Sequence, residues 1–195
     1  MSRCPRCGAE ETAGDEFNAC CPHCVGTNPF NAPLVEAPIK DVKEIRFYSS
    51  KGEYGFLSNF YPCRIYFGIE VFESVEHAYQ SCKPNDSAII EWIKNAPYPR
   101  LAFVAGHNLF QKDIIDDWME VRVKIMKNLL TCCKFYQHPD LADKLLATGD
   151  AVLIENSPID SFWGVGADGE GENMLGKLLM EARKKLKKER EEERK

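Results

Sequence analysis

Between residues 72 and 84 the chain places apolar and polar side chains at helical spacing. Phe72, Val75, Tyr79 and Cys82 recur at i, i+3, i+7 and i+10 and make an apolar stripe. Glu76, Gln80 and Lys83, at i, i+4 and i+7, share the face beside it. Ser74 suits an N-cap and Pro84 stops the element, so the spacing predicts a helix over 74–83. The same periodicity predicts helices over 86–96, 113–136, 140–148 and from 173 into the charged tail. In the longest of these, Ile114, Trp118, Val121, Ile125, Asn128, Leu129 and Cys132 fall near one stripe, which puts Trp118 on the buried side. "EIRFYS" and "AVLIEN" read as strands, and "CRIYFGIEVF" as two short strands around Gly68. A few short strands against a helical body define a helix-rich α+β class.

"GTNPFNAPLVEAPIKD", broken by Gly26, Pro29, Pro33 and Pro38, reads as a linker. The expected organisation is therefore a small unit over 1–28, a linker over 29–44, a main domain over 45–186 and a charged helical tail over 187–195. The tail "RKKLKKEREEERK" alternates blocks of opposite charge and is expected to be a solvated helix end.

Composition narrows the class. The chain has 195 residues, 44% of them hydrophobic and 11% aromatic, enough for one sizeable core plus an appendage. No apolar run approaches the ~20 residues of a membrane span, and "MSRCPRCGAE" has no apolar signal region. A cytoplasmic protein without membrane contacts is expected. A formal net charge of −5 argues against a broad nucleic-acid-binding surface, which needs clustered Lys and Arg.

Nine cysteines need a reason, and five of them lie in the first 24 residues. Cys4, Cys7, Cys21 and Cys24 form the spacing C-x2-C-x13-C-x2-C, and in both knuckles Pro follows the first Cys, which selects Cys21 over Cys20. In a reducing compartment such knuckles point to a metal. Four thiolates favour structural zinc, with iron as the alternative. A closed four-cysteine set leaves no open position, so the expected ribbon is structural, and no cofactor is expected for catalysis.

Three segments carry more polar and glycine content than packing requires. One is the "EHAYQSCK" helix. A second is "GFLSNFYP", where Asn59 sits among aromatic and apolar residues, Phe60 included. The third is "IDSFWGVGADGEGENMLGKLLMEAR", where Asp160 precedes Trp163 and five glycines, Gly164 first, fall within 13 residues. Glycines let a backbone approach a ligand, and helix N-terminal amides hold phosphate or sugar oxygens. Each has a plainer explanation: a first-turn acid opposite the helix dipole for Glu76, a surface loop for the glycines, core packing for Trp118 and Trp163, an N-cap for Asn173. His77 faces away from the Glu76 line and reads as structural, and Cys82, Cys132 and Cys133 as buried fillers.

Together "FYSS…YGFLSNFYP", "ESVEHAYQSCK", the Trp118 helix and "DSFWGVGADGEGENMLGKLLMEAR" resemble the NADAR, or YbiA-like, family over residues 45–186. The resemblance implies a helix-rich N-glycosidase acting on a ribosylated base or ADP-ribose conjugate: a riboflavin-pathway ribosylaminopyrimidine, or ADP-ribosylguanine within nucleic acid. It places a catalytic acid at Glu76, a second carboxylate at Asp160, and a lysine at Lys83 that is either electrostatic or a Schiff-base nucleophile. Asn59, Phe60, Trp118, Trp163, Gly164 and Asn173 are the substrate-binding residues it implies. One departure stands out: where the family often carries basic residues, "AFVAGHN" has Val104 and His107. Phosphate recognition would then be weaker, or fall to Arg46, Arg100 or the glycine loop.

The competing class is a non-catalytic NAD or ADP-ribose reader docked to a protein partner through its ribbon. Glu76, Lys83 and Asp160 together favour an enzyme. A nucleic-acid-binding ribbon is disfavoured, because Arg3 and Arg6 face Glu10, Glu11, Asp15 and Glu16.

Overall fold

The computed structural model describes residues 43–194. The expected ribbon, its ligands Cys4, Cys7, Cys21 and Cys24, and most of the linker lie outside them. The described residues form two compact units, one over 62–137 and one combining 43–61 with 138–194. Both are built from helices with a few short strands, as the hydrophobic pattern predicts.

In the 62–137 unit, β2 (Ile65–Phe67) and β3 (Glu70–Phe72) form an antiparallel hairpin. α1 (Val75–Ser81) follows directly, with the Ser74 hydroxyl accepting from the His77 amide as its cap. α2 (Ser87–Lys94) is capped by Asp86, whose Oδ1 accepts from Ala88 and Ile89. α3 (Pro99–His107) was not anticipated by the periodicity: Pro99 opens this helix as its first residue rather than breaking one. Ile93, Ala96 and Ala102 join α2 and α3 in an apolar cluster.

The long helix expected from residue 113 begins later. Its first residues are taken up in a tertiary bridge, where the Ile115 amide donates to the Lys83 carbonyl and the Asn85 amide to the Asp113 carbonyl. α4 (Trp118–Asn128) then runs into a π-helical turn over Leu129–Lys134 and the short α5 (Phe135–Gln137). The wider turn shifts the phase of the stripe. Cys133 is buried as expected while Cys132 is only half-buried, and Lys134 is buried completely beside the Phe135 ring. Burial pushes the Lys134 amine down to about 8 and the Cys82 thiol up to about 12.

In the other unit, β1 (Glu44–Phe47) pairs in parallel with β4 (Val152–Glu155), Ile45 opposite Leu153 and Phe47 opposite Glu155. A 3-10 turn over Gly55–Leu57 is buried throughout. α6 (Pro139–Ala147) and α7 (Met174–Glu193) complete it. Buried Leu145, Leu153, Leu175 and Leu179 form its core. Arg183 reaches back from α7 to donate to Thr148 Oγ1 and the Ala151 carbonyl at 2.7 and 2.8 Å. The charged end stays helical to Glu193. Arg190 ties it to Asp143, and the exposed pairs Lys185–Glu189 and Lys188–Glu192 follow the i, i+4 rule.

Candidate active site

α1 is not the half-solvated helix its polar line suggests. All seven of its residues are buried, Glu76 and Gln80 included, at 4% and 2% exposure. A buried carboxylate needs a partner, and Gln80 Nε2 donates to Glu76 Oε1 at 2.8 Å. The i, i+4 spacing read as a shared face is thus a direct hydrogen bond.

Lys83 lies just beyond α1. Its Nζ donates to the Gly106 carbonyl of α3 at 2.6 Å. Burial, and then the Arg122 guanidinium on α4, hold its proton affinity below the ordinary lysine value. Arg122 was not singled out in the sequence, although it lies four residues after Trp118 on the same helix and so within one turn of it. Trp118 itself is buried with its ring tilted over Tyr79 of α1, centroids 5.1 Å apart. Glu76, Lys83 and Trp118 therefore belong to one packed unit.

His77 has the structural part expected of it. Its Nε2 lies 3.0 Å from the Ala96 carbonyl and its Nδ1 2.8 Å from Ser74 Oγ. Because a carbonyl only accepts, Nε2 carries the proton and Nδ1 accepts from Ser74. Burial lowers the His77 pKa below its usual 6.5, against a smaller upward pull from the Ala96 carbonyl. The neutral ring is the folded form, so unfolding takes up a proton and stability rises with pH in this range. Stability is fully present above the unfolded pKa near 6.5 and declines as pH falls below it. Urea denaturation at pH 7.5 and 5.5 should show this decline, and a smaller one in His77→Gln. An equal decline in both proteins would mean that His77 is not held neutral.

The remaining nominated residues lie in the other unit. Asn59 is buried and its Oδ1 has no protein donor. Phe60 is half-buried, its amide bound to Ser58 Oγ. Asp160 organises a loop: its Oδ1 accepts from the Phe162 and Trp163 amides at 2.9 and 2.7 Å, and its own amide donates to Ser157 Oγ. The Trp163 ring meets Phe162 edge-on at 5.0 Å.

Two expectations for the glycine loop change. The amides of Asn173, Met174 and Leu175 at the start of α7 already donate to the carbonyls of Gly164, Phe162 and Trp163, so the loop itself occupies them instead of a phosphate. Gly164 permits close approach, but to this chain: a Cβ there would lie 2.7 Å from the Glu155 carbonyl oxygen. Asn173 stands at the N-cap position with φ 51°, yet its side chain does not cap. It bridges β4 instead, accepting from the Glu155 amide and donating to the Leu153 carbonyl, both at 2.9 Å.

The alternative phosphate cations are also engaged. Arg46 pairs with Glu44 and donates to Asn156, and Arg100 lies over the Phe103 ring. The exposed His107, at a departure from the family pattern, stacks on the same Phe103. Among the described residues no group of three or more His, Cys, Asp or Glu is placed to hold a metal ion.

The NADAR domain family matches residues 46–187, which take in both units' shares of these residues. The chain belongs to the NADAR family. The NADAR chain is 40% identical to an N-glycosidase of Nostoc punctiforme over 146 residues, 73% of this chain and 92% of that one. It is 41% identical to a riboflavin biosynthesis protein of Vibrio vulnificus over 142 residues, spanning 73% of this chain but 38% of the Vibrio protein. Its fold matches the NMR structure of the Escherichia coli protein YbiA with a TM-score of 0.71 and 34% identity, covering 83% of this chain and 95% of that one.

Proposed function

We infer that this NADAR chain is an N-glycosidase, a hydrolase acting on the bond between a ribosyl carbon and a base nitrogen. The observation that carries the reading is Glu76: a carboxylate buried on a helix and held by a side-chain amide, in a chain related to proteins named N-glycosidases. Cleaving such a bond develops an oxocarbenium-like sugar and an anionic leaving base. A fixed carboxylate in a water-poor site stabilises the first and can activate water. Among the described residues no helix is long and apolar enough to cross a membrane, which suits a reaction in solution.

We propose further roles on the family match. Asp160 serves acid–base chemistry or binds a sugar hydroxyl, and Trp118, Trp163 and Phe60 hold the ring systems. Asn59 Oδ1 accepts from a substrate N–H or O–H, since a buried acceptor left without a donor costs about 1–3 kcal/mol. The substrate is a ribosylaminopyrimidine or an ADP-ribosylated guanine. Lys83 with Arg122, or Arg46 or Arg100, supplies the positive charge for its phosphate, the α7 amides being taken up by the carbonyls of their own loop.

In the alternative role, the lowered proton affinity of Lys83 suits attack by its neutral amine on the anomeric carbon. The C1–Nζ bond forms as the C1–base bond breaks. One amine proton goes to the departing base and the other to the ring oxygen as the imine opens the sugar. Water then hydrolyses the imine and restores the amine. Incubating the protein with each substrate in turn should release free base from one of them. Borohydride should trap a sugar adduct in the parent and none in Lys83→Ala if the imine forms. Turnover without a trapped adduct leaves Lys83 as an electrostatic group, and tight ADP-ribose binding without turnover of any substrate would make the chain a reader.

We also propose that Cys4, Cys7, Cys21 and Cys24 bind one structural zinc, with the zinc-bound segment available to a protein partner. Elemental analysis should find about one zinc per chain, lost in Cys21→Ser and kept in Cys20→Ser. The reverse pattern would overturn the ligand choice.

A further inference from the structure

Gly106 lies in the last turn of α3, where glycine costs about 1 kcal/mol relative to alanine. Helical φ does not explain it, since alanine adopts the same backbone. The packing does. A Cβ on Gly106 would lie 1.9 Å from Gln80 Oε1 and 2.7 Å from its amide carbon, well inside contact distance. Gln80 is the residue whose Nε2 donates to Glu76 Oε1. Its Oε1, pressed against the Gly106 backbone, is buried and has no protein donor. That arrangement is costly by itself, and it persists because the amide's other end holds a buried carboxylate. The carbonyl of the same Gly106 accepts from Lys83 Nζ at 2.6 Å. One residue of α3 thus touches Lys83 directly and Glu76 through Gln80.

We propose that Gly106 is a positioning residue for Glu76: having no side chain, it lets α3 approach α1 closely enough to press the Gln80 amide onto the Glu76 carboxylate, while its carbonyl sets the height of Lys83. Gln80 acts through Glu76 and Gly106 acts through Gln80. The inference rests on the N-glycosidase reading for its effect on rate, but the contact itself can be read without turnover.

The test combines Gly106→Ala, Gln80→Ala and the double variant. In the parent, NMR should show the Gln80 side-chain amide protons protected from exchange with solvent, and Gly106→Ala should abolish that protection. With the substrate that the parent turns over, Gly106→Ala should lower kcat by about 10²-fold with KM little changed, as a misplaced catalytic group does. Gln80→Ala should do the same. In the Gln80→Ala background, Gly106→Ala should cost no more than about twofold, because the side chain it displaces is gone. Should Gly106→Ala alone fail to fold, the double variant should fold, because only the Cβ at position 80, 3.2 Å away, then has to give by a few tenths of an ångström, and its failure to do so would refute the steric argument. A folded Gly106→Ala with protected Gln80 protons, or kcat losses that multiply in the double variant, overturns the inference. A parent that releases no base from any substrate sinks the enzymatic reading, while the protection experiment still decides whether Gly106 positions Gln80.

Discussion

Glu76→Gln should lower kcat by at least about 10²–10⁴-fold while substrate still binds, the range that general acid–base groups supply. The structure makes this substitution a clean one. The parent carboxylate accepts from Gln80 Nε2, and a glutamine at position 76 can turn its own oxygen to the same donor. Size and the hydrogen bond from Gln80 survive, and the charge is lost. A loss confined to kcat would place the charge in the transition state, whereas a rise in KM alone would mean that it binds substrate uniformly. The fold should tolerate the change, because removing a buried charge relieves desolvation. If Glu76→Gln turned over every candidate substrate at the parent rate, Glu76 would be a first-turn helix acid and no more.

Trp118→Ala is expected to destabilise the protein by about 3–5 kcal/mol, the usual cost of truncating a buried aromatic ring. Trp118 is 7% exposed and begins α4, and its ring contact with Tyr79 joins that helix to α1. The substitution therefore removes packing on the helix that carries Glu76, and kcat/KM should fall as well. Urea denaturation gives the first quantity and kinetics on the folded fraction the second. The full stability loss with unchanged kinetics would leave Trp118 as core alone.

Much of the local structure was legible in the chain. The 3.6-residue recurrence around Phe72, Val75 and Tyr79, with Ser74 before it, marked α1 to within two residues of its ends. Gly68 between two short apolar runs marked the hairpin, and the separated motifs marked the family and its glycosidase chemistry. Periodicity states which side of an element is apolar, and capping residues state where it begins. Both are properties of neighbours in sequence.

What periodicity does not state is what meets each side. In the sequence Glu76 and Gln80 are only a polar line beside an apolar stripe, and packing is what buries them. The late start of α4 follows from a bridge to Lys83 and Pro84, about 30 residues earlier in the chain. The glycine loop was read as a cradle for a ligand, but its carbonyls fill the α7 amides, and Gly164 and Gly171 make room for this chain's own backbone. Gly106 carried no local signal, since a glycine near a helix end is ordinary. By itself the sequence determined most of the elements, their apolar faces and the family. Tertiary structure decided which polar groups lose their water and which side chain holds which. Desolvation and contact depend on residues far apart along the chain, and no short window of sequence contains both partners.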